Sequence, residues 1–218
     1  MSIAAAQIVS DAITAKHQLT LCLAAGNTPT GTYRELVRLH ESAGLDFSNV
    51  MFFYLDDYAG LPADHPESFR FYLEREFFQN VNVTRSNIHA PDAQYEETIR
   101  KCGGINLLIC GIGANGHIAF NEPGSPVNSR TRIVDLAEST IQGLRGKFKA
   151  EEMPRQAITV GLATIMESRE ILLLASGREK AGILARALIE PVTTDVPAST
   201  LQVHPKVIVL TDQEVRQS

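Results

Sequence analysis

No stretch of the sequence approaches the ~20 consecutive apolar residues that a membrane-spanning helix needs, so no span is expected. The first residues offer no basic segment leading into an apolar one, and no secretion signal is expected there. Cysteine is scarce. Cys22, Cys102 and Cys110 form an odd set with no CxxC pair, which argues against a disulfide framework. Cys22 and Cys110 lie inside apolar runs, where a free thiol behaves as a small buried hydrophobe. The set fits a reducing, cytoplasmic compartment. Positive charge is also short. A net charge of -5 leaves no basic footprint for nucleic acid, so a negatively charged small ligand must be met by local groups.

What is present is an ordinary globular composition, 44% hydrophobic and 21% charged. At 218 residues the chain can bury a sizeable core, and a single domain over residues 1–218 is expected. Short apolar runs read as buried strands at residues 19–24, 50–55, 105–110, 170–175 and 206–210. Residues 131–136 and 157–160 read as further strands. Helical spacing occurs at 3–16, 32–42, 67–78, near 93–102 and at 178–189, with a helical turn at 162–166. Residues 25–31 and 56–66 read as loops, and 138–152 as a short helix or mobile loop. Alternating strands and helices predict an α/β fold: a Rossmann-like, mostly parallel sheet with helices on both faces. Ligands of such sheets bind beyond the carboxyl ends of the strands. The loops 25–31, 56–66 and 111–124 all follow strands, so one edge of the sheet should collect them.

The chemistry concentrates in these loops. Gly111-Ile-Gly-Ala-Asn-Gly116 matches a dinucleotide fingerprint in letters only. The third glycine should open a helix, whereas His117-Ile-Ala-Phe-Asn-Glu-Pro123 puts a proline in the way. His117 is flanked by Asn115 and Glu122, and a carboxylate beside an imidazole can fix its tautomer. The residues alone leave an acid/base group and a hydrogen-bonded loop scaffold equally open. Asp56 and Asp57 leave a strand on opposite sides, so one can face a cleft while the other holds the loop. Asp64-His65 lacks metal-ligand spacing, and no metal is expected. Ala25-Gly-Asn-Thr-Pro-Thr-Gly31 runs from strand to helix, where backbone amides favour phosphate. It is not a Walker loop, having no Lys-Ser/Thr after the glycine. Lys180, after Ser176-Gly177, could reach the same edge.

Together these stretches resemble the glucosamine-6-phosphate deaminase family. They are Ala25-Gly-Asn-Thr-Pro29, Leu55-Asp-Asp-Tyr-Ala-Gly-Leu-Pro62, His65-Pro-Glu-Ser68 and the loop Gly111–Gly124. Ser129-Arg-Thr-Arg132, Gln156–Leu162 and Pro197–Lys206 add to them, in order along nearly the whole chain. The resemblance implies a fold of the sugar-phosphate isomerase/deaminase type. It implies conversion of glucosamine 6-phosphate and water to fructose 6-phosphate and ammonia, without a cofactor. It assigns Asp56 as the base that moves the C2 proton to C1 and His117 as the ring-opening acid/base, with Glu122 and Asn115 as its partners. Gly26, Asn27, Thr28 and Lys180 fall at substrate- and phosphate-binding positions. The family's Asn-Ser-Arg-Phe-Phe stretch, whose arginine helps to bind phosphate, reads Gly143-Leu-Arg-Gly-Lys-Phe148 here. Arg145 is taken as the replacement, with Lys147 as the other choice. Rival readings are a galactosamine-6-phosphate deaminase, a 6-phosphogluconolactonase and a non-catalytic sugar-phosphate sensor. The sequence leaves homo-oligomerisation open.

Overall fold

The computed structural model describes residues 1–16 and 18–216. Helix α1 (Ser2–Ala15) precedes strand β1 (Leu19–Leu23), α2 (Asn27–Ala43), β2 (Val50–Tyr54) and β3 (Asp56–Tyr58). Next come α3 (Phe69–Glu76), β4 (Ile88–His89), α4 (Tyr95–Lys101) and β5 (Leu107–Gly111). After the long loop that follows β5 stand β6 (Arg132–Asp135), α5 (Glu138–Gly143), β7 (Gln156–Thr159) and α6 (Leu162–Met166). The chain closes with β8 (Glu170–Ala175), α7 (Ala181–Ile189), β9 (Val207–Thr211) and α8 (Gln213–Arg216).

Six strands form a sheet in the order β4-β2-β1-β5-β8-β9, and every neighbouring pair is parallel. All five residues of β1 are buried, which is why it reads as an unbroken apolar run rather than an alternating one. Successive side chains go to opposite faces. Cys22, Phe53, Leu108 and Leu173 pack under α4, α6 and α7, whose contributions include Ile99, Ile165 and Ile183. Leu21, Phe52, Ile109 and Leu172 pack under α1, α2 and α3, through Val9, Leu36 and Leu73 among others. No helix among the described residues is long and apolar enough to cross a membrane.

The structure differs from the sequence reading where the chain leaves this sheet. Residues 56–58, expected in a loop, are β3. At Leu55 the chain changes partners: its N–H donates to the Leu23 carbonyl in the main sheet, and its carbonyl accepts from Val160 in a second one. That second sheet is three-stranded and antiparallel, in the order β3-β7-β6, so two strands expected from the sequence stand apart from the parallel array. Helix α2 begins at Asn27 rather than near residue 32. Pro29 falls in its first turn, where a missing N–H costs nothing. Residues 178–180 form a 3-10 turn before α7, and the stretch 138–152, read as a short helix or mobile loop, holds the short helix α5 and a 3-10 turn at Ala150–Glu152. The two-residue strand β4 and the 3-10 helix Pro197–Val203 were not anticipated.

Gly161 leads from β7 into α6. A Cβ there would lie 2.2 Å from the Ser129 carbonyl oxygen and 2.5 Å from that of Arg130. Both obstacles are backbone, and the Leu162 N–H donates to Ser129 Oγ at 3.1 Å beside them. Gly161→Ala is expected to destabilise the fold by about 2 kcal/mol through overpacking. The expected result in a thermal melt is a Tm lowered by roughly 4–8 °C.

Candidate active site

The carboxyl edge of the parallel sheet opens into a cavity of about 390 Å³, a size suited to one small ligand. Its walls come from the segments after β1, β2 and β5, from the α5 segment and from Lys180. Of the residues singled out by sequence, Gly26, Asn27, Thr28, Asp56, Asn115, His117 and Lys180 line it.

Asp56 and Asp57 divide their work as the strand geometry predicts. Asp57 turns away and accepts the N–H groups of Tyr58 at 2.8 Å, Phe69 at 2.8 Å and Arg70 at 3.1 Å. It thereby anchors the first turn of α3. Asp56 lines the cavity at 7% exposure, and its carboxylate takes no hydrogen bond among the described residues. Burial, and secondarily the charge of Asp57, push its carboxyl up to about 8. Beneath it, burial drives the thiol of Cys22 well up and that of Cys110 to about 12, so neither is a ready nucleophile. The three cysteines are unpaired.

The loop after β5 is held by its own polar groups. His117 Nδ1 stands 3.1 Å from Glu122 Oε2. Asn115 Nδ2 donates to the same oxygen at 2.7 Å, and its Oδ1 accepts the His117 N–H at 3.2 Å. Asn115 therefore acts on Glu122 and on the backbone, not on the imidazole. Gly113 is small because the imidazole needs the room: a Cβ there would sit 2.2 Å from His117 Nε2. Ala119, two residues on, adopts a left-handed φ of 52°, a conformation costly for a residue with a Cβ. Burial works to raise the Glu122 carboxyl. Hydrogen bonds from His117, Thr140 and Asn115 and the attraction of His117 outweigh it and hold the group at about 2.

The first turn of α2 forms another wall. Gly26 caps this helix with φ 103°, which favours glycine, and its carbonyl accepts from Thr30 Oγ1 at 3.1 Å. Thr30 Oγ1 is in turn 2.8 Å from the Tyr72 hydroxyl, so α3 braces the loop. The N–H groups and the positive end of a 17-residue helix favour an anion at this place. Lys180 brings a cation to the cavity, and burial lowers its pKa against a smaller opposing effect of Glu179. Arg145 is exposed and is not among the lining residues; Lys147, two residues on, is. Sequence reasoning missed Ser139 and Thr140, which line the cavity beside Asn115 and Glu122. They sit in a segment without clear periodicity, and no pattern in the letters marks them.

Comparison with known proteins bears on this arrangement. Residues 2–209 match the family model of glucosamine-6-phosphate isomerases/6-phosphogluconolactonase. The chain is 44% identical to the glucosamine-6-phosphate deaminase of Thermoanaerobacter pseudethanolicus, over 98% of this chain and 89% of that one. It is 45% identical to glucosamine-6-phosphate deaminase 2 of Bacillus subtilis, over 97% of this chain and 90% of that one. The solved structure of a monomeric glucosamine-6-phosphate deaminase superposes with a TM-score of 0.95 at 40% identity, covering 99% of this chain and 94% of that one. A 6-phosphogluconolactonase from Leishmania guyanensis superposes at 0.78 with 20% identity, covering 100% and 94%, a likeness of fold alone. The chain belongs to the glucosamine-6-phosphate isomerase/6-phosphogluconolactonase family.

Proposed function

We infer that this protein is a glucosamine-6-phosphate deaminase, releasing ammonia from glucosamine 6-phosphate and yielding fructose 6-phosphate. The observation that carries the reading is the pairing, on one cavity, of an unpartnered buried carboxylate, Asp56, with an imidazole tied to a carboxylate, His117 and Glu122. Its relatives at 44–45% identity carry the deaminase name, whereas the lactonase likeness stands at 20%. The unpaired cysteines suit a reducing, cytoplasmic setting.

The reaction divides between the two groups. The cyclic sugar opens when one group takes the proton of the anomeric hydroxyl and returns one to the ring oxygen. His117, steadied through Nδ1 by Glu122, suits that shuttle. Asp56 then takes the proton from C2 and delivers it to C1, passing through an enolamine. A desolvated carboxylate is a stronger base than one in water. The resulting C2 imine adds water, and the C–N bond breaks to leave the ketone and ammonia. The phosphate is held by the amides at the start of α2 with Thr28, and by Lys180. We assign the second cation to Lys147, because it lines the cavity and Arg145 does not.

An ammonia-release assay on glucosamine 6-phosphate, with galactosamine 6-phosphate as a second arm, tests the reading. No ammonia from either sugar overturns it. Asp56→Asn is expected to lose about 10³-fold in kcat, the scale of a general base. Lys147→Ala is expected to raise KM about tenfold, as for a lost charged contact. Arg145→Ala should move KM by less than about twofold.

The pH dependence follows from Asp56. A base must be ionised, and this carboxyl sits at about 8, so kcat/KM is expected to rise with pH through that region. Asp57→Asn removes the neighbouring charge while keeping an acceptor for the α3 amides, and should move the rise to lower pH. The folded state also holds a proton that the unfolded chain, with an Asp pKa of about 3.9, gives up. This group's contribution to stability therefore falls as pH increases from about 4 to about 8. A shallower fall in Asp56→Asn, measured by urea titration at several pH values, checks the sign.

A further inference from the structure

Glu122 is gripped from two directions. Oε2 takes its donors from the loop after β5, Asn115 and His117. Oε1 takes its donors from the start of α5: Thr140 Oγ1 at 2.6 Å and the Ala137 N–H at 3.3 Å. Ser139 Oγ adds a tie from the same turn, accepting from Asn115 Nδ2 at 3.1 Å. An ionised carboxylate can only accept, so the Thr140 hydroxyl must donate. Bonds of this kind are short and strong, as this one is. The opposite side of the same segment is apolar. Ile141, Leu144 and Phe148 pack with Tyr58 and Phe120, and Phe148 meets the Tyr58 ring edge-on at 5.4 Å. Between Leu144 and Phe148 the chain carries Lys147 to the cavity wall.

We propose that Thr140 is a positioning residue for the Glu122–His117 pair, and that through it the segment carrying Lys147 is coupled to ring opening. The proposal rests on the roles given above to His117 and Glu122. With both oxygens engaged, the carboxylate cannot rotate, and its charge is shared among four donors instead of leaning on the imidazole. Without the Thr140 hydroxyl, Oε1 keeps only the long bond from Ala137. The carboxylate then draws the imidazole proton more strongly. Other charged groups on the same cavity are Asp56 from β3, Lys180 ahead of α7, and Lys147 itself. Glu138 adjoins on α5. None of these charges is removed with the hydroxyl, so a change in His117 reports the Thr140 bond.

The test compares Thr140→Val, Thr140→Ser and the unaltered protein in ammonia release, with the His117 imidazole resonances read by NMR. Thr140→Val should lower kcat about tenfold with KM within about twofold, and displace the His117 ring resonances. Thr140→Ser, which restores the hydroxyl, should return both most of the way. If Thr140→Val melts below the assay temperature, Thr140→Ala deletes the same donor and carries the same expectations. Three results overturn the proposal: an unchanged kcat and unchanged resonances in the donor-deleted variant, a serine variant as impaired as valine, or a raised KM at intact kcat. Failure of the functional reading is separable. If the unaltered protein releases no ammonia, that reading falls, while the His117 resonances still decide whether Thr140 acts on the pair.

Discussion

Parallel pairing of β2, β1 and β5 is the constraint on which the site depends. Parallel neighbours cannot be joined by a tight turn, so each connection crosses a face of the sheet and begins at the same edge. The three segments that leave these strands therefore start side by side, and each delivers a different chemistry. After β1 come a positive-φ glycine and the amides of α2. After β2 comes Asp56, and after β5 the loop with Asn115, His117 and Glu122. The apolar residues inside the strands, buried on both faces, hold this edge in register.

Around one cavity the protein moves two carboxyls in opposite directions. Asp56 is pushed up because it is buried, with no donor among the described residues, and stands beside Asp57. Glu122 is held down despite its burial by the hydrogen bond and attraction of His117 and by the hydrogen bonds of Thr140 and Asn115. Separated acid/base roles follow from such splitting of environments. In the reading proposed above, the first group serves as a base and the second as the anion that steadies an imidazole, although the side chains differ by a single methylene.

The parts of this arrangement that were legible in the sequence are those fixed over a few consecutive residues. The runs at 19–24, 50–55 and 105–110 are apolar without alternation because the strands are covered on both sides, and that alone predicts a buried parallel sheet. Asp56 and Asp57 split between cavity and scaffold because neighbours on a strand point opposite ways. The second sheet was illegible as such. Its strands β6 and β7 could be seen, but their pairing with β3 depends on Leu55 switching its backbone partner, and no local pattern records that. The early start of α2 was hidden by Pro29, which marks a turn in most contexts and is harmless in a first helical turn. The choice between Arg145 and Lys147 could not be made from spacing. It depends on how Gly146, at a φ of 87°, turns the chain between them.

The segment from Ala137 to Phe148 shows why such a stretch resists pattern reading. It is neither a regular amphipathic helix nor a strand, yet it has two faces. Ile141, Leu144 and Phe148 join Tyr58 and Phe120 in a small apolar cluster apart from the two main cores. Ser139, Thr140 and Lys147 line the cavity. A cluster of this size cannot hold a segment as firmly as a sheet does, so the polar contacts to Glu122 and Asn115 contribute to its placement as well as to the site. The dependence runs both ways. Glu122 is fixed by the segment, and the segment is fixed in part by Glu122. In the reading proposed above, a ligand phosphate drawn to Lys147 acts on the same segment that holds the carboxylate behind His117, which couples binding at one end of the sugar to proton transfer at the other.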